Sequence, residues 1–137
     1  GAFANTNISA FAVDKDNTYF TAEDGVLLSN DRSILICYPP RKADRVYTIP
    51  TSVTTIEEHA FIYPEYTMKF VIGEQVETIK GTGFEVNNDR AFYLYHTSRP
   101  ASWSDYWTTN VYYYPCFIYW YGEWTFDGNG NPYSTID

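Results

Sequence analysis

Apolar residues recur along the middle of the chain at one fixed spacing. Tyr47, Ile49, Val53, Ile56 and Phe61 are followed by Phe70, Ile72, Val76, Ile79 and Phe84, each 23 residues on (70 − 47, 72 − 49 and so on). Five ungapped matches at one offset predict a solenoid, whose coils each bury an apolar edge against the next. Adding 23 again to Phe70 and Ile72 reaches Tyr93 and Tyr95, so Phe92–Tyr95 is predicted as a third strand, after which the pattern stops. Within the first coil, residues 46–49 read as a strand ended by Pro50. Side chains alternate along a strand, which places Tyr47 and Ile49 inward and Val46 and Thr48 outward. Val53 and Ile56 belong to a bend, and Glu57–Phe61 has the character of one helical turn that drives Phe61 inward. The second coil carries Gly73 for Pro50 and Gly81 and Gly83 for Glu58 and Ala60, so its helical turn is predicted to be weaker.

Before the repeats, Phe11 to Val13 reads as a short strand, and Asp14, Asp16 and Asn17 as turn material. Gly25 supplies a tight turn before Val26, and Ile34–Tyr38 is a β-rich run closed by Pro39 and Pro40. Residues 20–38 are therefore predicted to form a β-hairpin inserted between coils. Residues 1–10 read as a frayed end or the remnant of a preceding coil. Beyond Arg99 the composition changes, and eleven Trp, Tyr and Phe residues crowd into 103–124. A solenoid must close its last apolar edge, so an aromatic cap is the plain reading. The expected organisation is a single domain over 1–137, with a strand and inserted hairpin at 11–46. Coils follow at 47–69 and 70–91, and a last strand and aromatic cap at 92–137. In class this is a β-rich solenoid with short helical turns, an inserted β-hairpin and an aromatic C-terminal cap.

Composition narrows the function. Aromatics make up 20% of the 137 residues and charged residues 19%, too apolar for a disordered chain. The net charge of −8 argues against a phosphate track for nucleic acid, which needs clustered Lys and Arg. There is no run of about 18 apolar residues to span a membrane and no signal peptide at the start. Gly1 is consistent with a scar of tag removal, which would make the chain a cut-out of a longer protein. Cys37 and Cys116 lie 79 positions apart (116 − 37) without metal-like spacing and are expected to be two buried free thiols. The sequon Asn7-Ile8-Ser9 is too common a motif to decide anything.

The run Ile49-Pro50-Thr51-Ser52-Val53-Thr54-Thr55-Ile56 followed by Ala60 and Phe61 resembles the coil of the BspA-type leucine-rich repeat family. That coil reads roughly Ile-Pro-x-Ser-Val-Thr-x-Ile-Gly-x-x-Ala-Phe; here Glu57 stands in the place of the usual Gly. The hairpin region is similar to a recurrent family segment through Phe11 to Asp14, Asn17 to Tyr19, Asp24 to Leu27, Leu35 and Ile36, Tyr38 and Pro39, and Tyr47 to Pro50. The run Tyr112 to Tyr114 and the turn from Trp124 to Pro132 are similar to the family's C-terminal strand and turn. The likeness is fullest over 11–84, continues over 92–114 and thins beyond. It implies a secreted or surface-attached protein of a host-associated bacterium that adheres to extracellular-matrix proteins or other cells. It carries over no catalytic residue.

Nothing in the residues points to catalysis or to a cofactor. The only histidines, His59 and His96, lie at a variable coil position and at the rim of the third strand, without a nucleophile and acid arranged around them. Two histidines and two scattered cysteines do not make a zinc site. The groups Asp14/Asp16 and Asp127/Asn129/Asn131 hint at calcium loops but lack Gly at the sixth position and an acid at the twelfth. Glu57 and Glu58 point apart on a helical turn, unlike a glycosidase pair, and Gly81 and Gly83 lack the rest of any phosphate loop. Two surfaces remain. Val46, Thr48, Lys69, Val71, Leu94 and His96 form the outward row expected to meet a protein partner on a host or bacterial surface or in the matrix. Trp107, Trp120 and Trp124 are candidates for stacking on a glycan. The leading expectation is a non-enzymatic extracellular adhesion module, with a carbohydrate- or cell-wall-binding module or a structural spacer as alternatives.

Overall fold

Each copy of the 23-residue pattern forms one coil made of three short strands. A computed structural model describes residues 7–87, 89–108 and 116–136. The chain begins with β1 (Phe20–Glu23), β2 (Val26–Ser29) and β3 (Ile34–Cys37). The first coil supplies β4 (Val46–Thr48), β5 (Thr55–Ile56) and β6 (Phe61–Ile62); the second supplies β7 (Lys69–Ile72), β8 (Thr78–Ile79) and β9 (Phe84–Glu85). Then come β10 (Ala91–Leu94), β11 (Phe117–Tyr119), β12 (Trp124–Phe126) and β13 (Pro132–Ser134). Stacking the coils gives a β-solenoid of about three turns, with no helix among the described residues.

Three ladders run along the stack. The largest is parallel, in the order β11-β10-β7-β4, with Tyr47 paired to Phe70 and Phe70 to Phe92. The second runs β3-β5-β8 in parallel, Leu35 to Ile56 to Ile79, with β1 and β2 added antiparallel at its edge. The third joins β6 to β9, Phe61 to Phe84. The hairpin predicted at 20–38 is present, and it extends the second ladder, where Val26, Leu28, Leu35 and Tyr38 close the first coil's apolar edge. Lys42 clamps that closure: its Nζ lies 3.0 Å from carboxylate oxygens of both Asp24 and Asp44. Residues 11–13, expected as a strand, are not one; Phe11 N instead donates to Gly25 O at 2.8 Å, tying the segment to the hairpin turn.

The ten residues of the repeat pattern are all core, none more than 5% exposed. Their rings form columns along the stack: Tyr38, Phe61 and Phe84 are stacked at 4.8 and 4.2 Å, and Phe70 stacks on Phe92 at 5.3 Å. Burying each such ring contributes about 1.5–3 kcal/mol before entropy is charged against it. Both cysteines are free, Cys116 buried and Cys37 half-buried.

The predicted helical turns are absent among the described residues. At residues 57–61 the chain makes a tight turn, with Ala60 N on Glu57 O at 3.2 Å and His59 at φ 61°. A helix needs negative φ throughout and spends its N–H groups inside its own segment. Here they go sideways to the next coil: His59 N to Thr82 O and Phe61 N to Gly83 O. Neighbouring coils therefore outcompete the helix for the backbone.

The third strand is also shifted by one residue. β10 aligns Phe92 with Phe70 and Leu94 with Ile72, an offset of 22 rather than 23. The lost residue lies between Phe84 and Phe92, eight apart, where Phe61 and Phe70 are nine apart. A one-residue slip turns every side chain to the opposite face. Phe92 and Leu94 thus enter the core, and Ala91 and Tyr93 take the outer face.

Candidate binding face

The outer face of the main sheet carries Val46 and Thr48 on β4, Lys69 and Val71 on β7, and Ala91 and Tyr93 on β10. It is not an open face. The C-terminal β12–β13 hairpin folds back across it and makes a second apolar cluster of Val71, Ala91, Tyr93 and Tyr119, flanked by Val46 and Trp124. Two bonds fix this cover: Trp124 Nε1 donates to Leu94 O at 2.8 Å, and Lys69 Nζ donates to Pro132 O at 2.7 Å while lying over the Tyr93 ring. The hairpin turn is held by Asp127, whose Oδ1 accepts from Asn131 N and Asn129 N at 2.9 and 2.8 Å. Those bonds lower its pKa below the usual carboxylate value. The Asp127/Asn129/Asn131 pattern is thus an Asx turn.

The six residues expected to form a partner row separate accordingly. Thr48 is exposed, and Val46 and Lys69 are half-buried against the hairpin. Val71 is 1% exposed because the hairpin covers it. Leu94 is fully buried because of the register shift. His96 is half-buried, with Nε2 3.1 Å from Val76 O and its ring 4.9 Å from that of Trp103. The tryptophans separate too. Trp107 is 3% exposed, edge-on to Phe84 and Phe92, and so cannot meet a sugar. Trp120 packs half-buried against the main core. Trp124 lines a cleft. The run Tyr112 to Tyr114 lies outside the described residues.

What stays open is a strip at the ends of the sheet strands. A cleft of about 320 Å3 is lined by Thr48, Thr51, Glu74, Gln75, Tyr95 and Phe126, among others. A second, of about 290 Å3, is lined by Tyr95, Tyr121, Gly122, Trp124, Thr125 and Phe126. Tyr95 and Phe126 line both. Trp124 stands between their rings, edge-on to each at 5.2 and 5.1 Å, which makes the aromatic wall rigid. Tyr95 and Tyr121 were not singled out from the sequence; Tyr95 only faces this strip because of the 22-residue offset. A third cleft, of about 340 Å3, lies at the other ladder beside Arg41 and Arg90. Its arginines are already paired, with Glu65 and Asp89.

No protein-family model and no curated protein matches the chain. Solved structures do. The pneumococcal vaccine antigen PcpA is similar over 70% of this chain at 28% identity and a TM-score of 0.52. A leucine-rich cell surface protein from Faecalibacterium prausnitzii is similar over 74% of the chain at 24% identity, with a TM-score of 0.59. These likenesses support the resemblance to the BspA-type leucine-rich repeat proteins. A leucine-rich repeat protein from Eubacterium ventriosum has the same fold over 69% of the chain, at 19% identity and a TM-score of 0.54. The chain spans only 23%, 26% and 32% of the lengths of PcpA, the Faecalibacterium protein and the Eubacterium protein, respectively.

Proposed function

We propose that the chain is a non-enzymatic interaction module displayed outside a bacterial cell, where it adheres to proteins on host or bacterial surfaces or in the extracellular matrix. The fold supports an interaction role, since solenoids present their sheet as a binding surface. The likeness to a leucine-rich cell surface protein and a vaccine antigen supports the location. The observation that carries the reading is the open strip: the hairpin seals the middle of the sheet but leaves Thr48, Thr51 and Glu74 uncovered beside Tyr95. The side chains of Thr48, Thr51 and Glu74 bond to nothing within the described residues, so their polar groups are available to a partner. No group of three or more His, Cys, Asp or Glu gathers to hold a metal among the described residues.

The test is a binding panel of immobilised matrix and surface proteins at low and physiological salt. Saturable, salt-tolerant binding that Thr48→Arg weakens at least about tenfold supports the reading. Binding to no protein in the panel, or binding indifferent to substitution along the strip, removes it.

A further inference from the structure

We propose that the strip is a saccharide-binding site that takes a neutral oligosaccharide across the wall formed by Tyr95 and Phe126. The proposal rests on the interaction-module reading and deepens it, naming a partner's carbohydrate as what the module grips. A pyranose ring presents a face of C–H bonds and a rim of hydroxyls, so it needs an aromatic surface with hydrogen-bonding groups beside it. The cleft at Trp124 supplies rings already held in place, so little side-chain freedom is lost on binding. Tyr121 is 63% exposed and Phe126 43% exposed, so both are accessible. Across the wall, Thr48, Thr51, Glu74 and Gln75 offer hydroxyls, a carboxylate and an amide.

Charge selects among saccharides. Neither cleft is lined by Lys or Arg, and Glu74 contributes a negative charge. On a chain of net charge −8, a phosphorylated or sialylated glycan is repelled and a neutral one is not. The two clefts, about 290 and 320 Å3, sit at the lower end of the about 300–1,000 Å3 of ordinary ligand pockets. Each thus fits a short portion of a ligand, and because they share a wall, one chain of sugars can pass from one to the other.

The experiment titrates the protein with soluble neutral oligosaccharides: hexamers of β-1,4-linked glucose, mannose, xylose and N-acetylglucosamine, and of α-1,4-linked glucose. Tryptophan fluorescence is the readout, with Trp124 as the reporter in the cleft. At least one is expected to shift the emission saturably, with Kd on the order of 0.1 mM, and Tyr121→Ala is expected to weaken it at least about tenfold. Tyr121 is exposed and outside the core, and an unchanged melting temperature confirms the variant is folded. Silence from every oligosaccharide at 10 mM (roughly a hundred times that Kd) overturns the proposal, as does a shift that both Tyr121→Ala and Phe126→Ala leave intact. A proline-rich peptide that binds the cleft where no saccharide does also overturns it, since such peptides dock on aromatic walls. Protein binding that survives both deglycosylation of the partner and Tyr121→Ala sinks the saccharide site and leaves the adhesion reading standing. Saccharide binding without any protein partner does the reverse.

Discussion

Phe61 and Phe84 stack with ring centroids 4.2 Å apart, one coil above the other, and neither is exposed to solvent. Phe84 is also edge-on to Phe70, Phe92 and Trp107, so it sits where two columns of rings meet. Phe84→Ala is expected to cost about 3–5 kcal/mol, the range for removing a buried ring and leaving a cavity. Urea denaturation measures it; a loss under about 1 kcal/mol would mean the columns do not bear on stability.

Gly83 occupies the position of Ala60 one coil later, and it has no room for a methyl group. A Cβ there would lie 2.6 Å from Ile79 Cγ2 and 3.3 Å from Ile56 Cγ2, both β-branched and stiff. Gly83→Ala should therefore destabilise by about 1–3 kcal/mol through overpacking. Gly128, whose Cβ would meet nothing within 4 Å, is the control. Gly128→Ala should stay within about 0.5 kcal/mol. Equal melting temperatures for the two variants would contradict the packing described.

Asp31 organises the hairpin turn between β2 and β3. Its Oδ1 accepts from Ser33 Oγ and N and from Ser29 Oγ, and these bonds lower its pKa from 3.8 to about 2. A carboxyl depressed in the folded state stabilises fully above its unfolded pKa and loses that contribution as pH falls through its folded one. The hairpin should thus hold at pH 5 and loosen between about pH 4 and pH 2. A carboxyl-carbon NMR titration of Asp31 should show a midpoint near the depressed value. Asp31→Asn should remove that part of the pH dependence; a midpoint near 3.8 would show that the serines do not hold the carboxylate.

Trp124 anchors the cover over the sheet. Trp124→Phe keeps a ring against Tyr93 and Tyr95 but deletes the bond from Nε1 to Leu94 O. The hairpin's docking should weaken by about 1 kcal/mol, the usual net worth of one hydrogen bond. Hydrogen exchange at the amide of Thr135, bonded to Glu123 O, should speed up several-fold, while the amides of β7 keep their protection. Uniform acceleration through both would show that cover and sheet open together.

Much of this architecture is legible in the residues. Large apolar side chains at fixed offsets have few ways to be buried together, and the two complete coils follow from that alone. The hairpin follows from its turn residues. What escaped has identifiable causes. Phe92 and Leu94 continue the repeat at 22 residues as well as Tyr93 and Tyr95 do at 23. The link from Phe84 to Phe92, one residue shorter than that from Phe61 to Phe70, decides it, and no single residue announces that difference. Glu57, Glu58 and Ala60 favour a helix, yet propensity is a weak prior against a neighbouring coil's carbonyls. The cover was harder. Phe70, Val71 and Ile72 in sequence are the mark of a strand buried on both faces, but nothing local says that residues 124–134 do the burying. The aromatic wall combines the residue after β10, residues of β12 and the link between β11 and β12, so its rings meet only in the folded chain.

The two thiols give the fold an unforeseen chemical property. Burial pushes the Cys37 thiol up to about 11 and raises that of Cys116, so neither is an appreciable thiolate at neutral pH. The solenoid is thus assembled without a covalent crosslink between them, and no oxidant is required for it to close. Thiols silenced by the fold become ordinary ones when it opens. Cys37 belongs to the hairpin that closes the first coil and Cys116 leads into the strand that follows the last repeat. Their separate alkylation rates would therefore time the breathing of the stack at its two ends, with no label added to the protein.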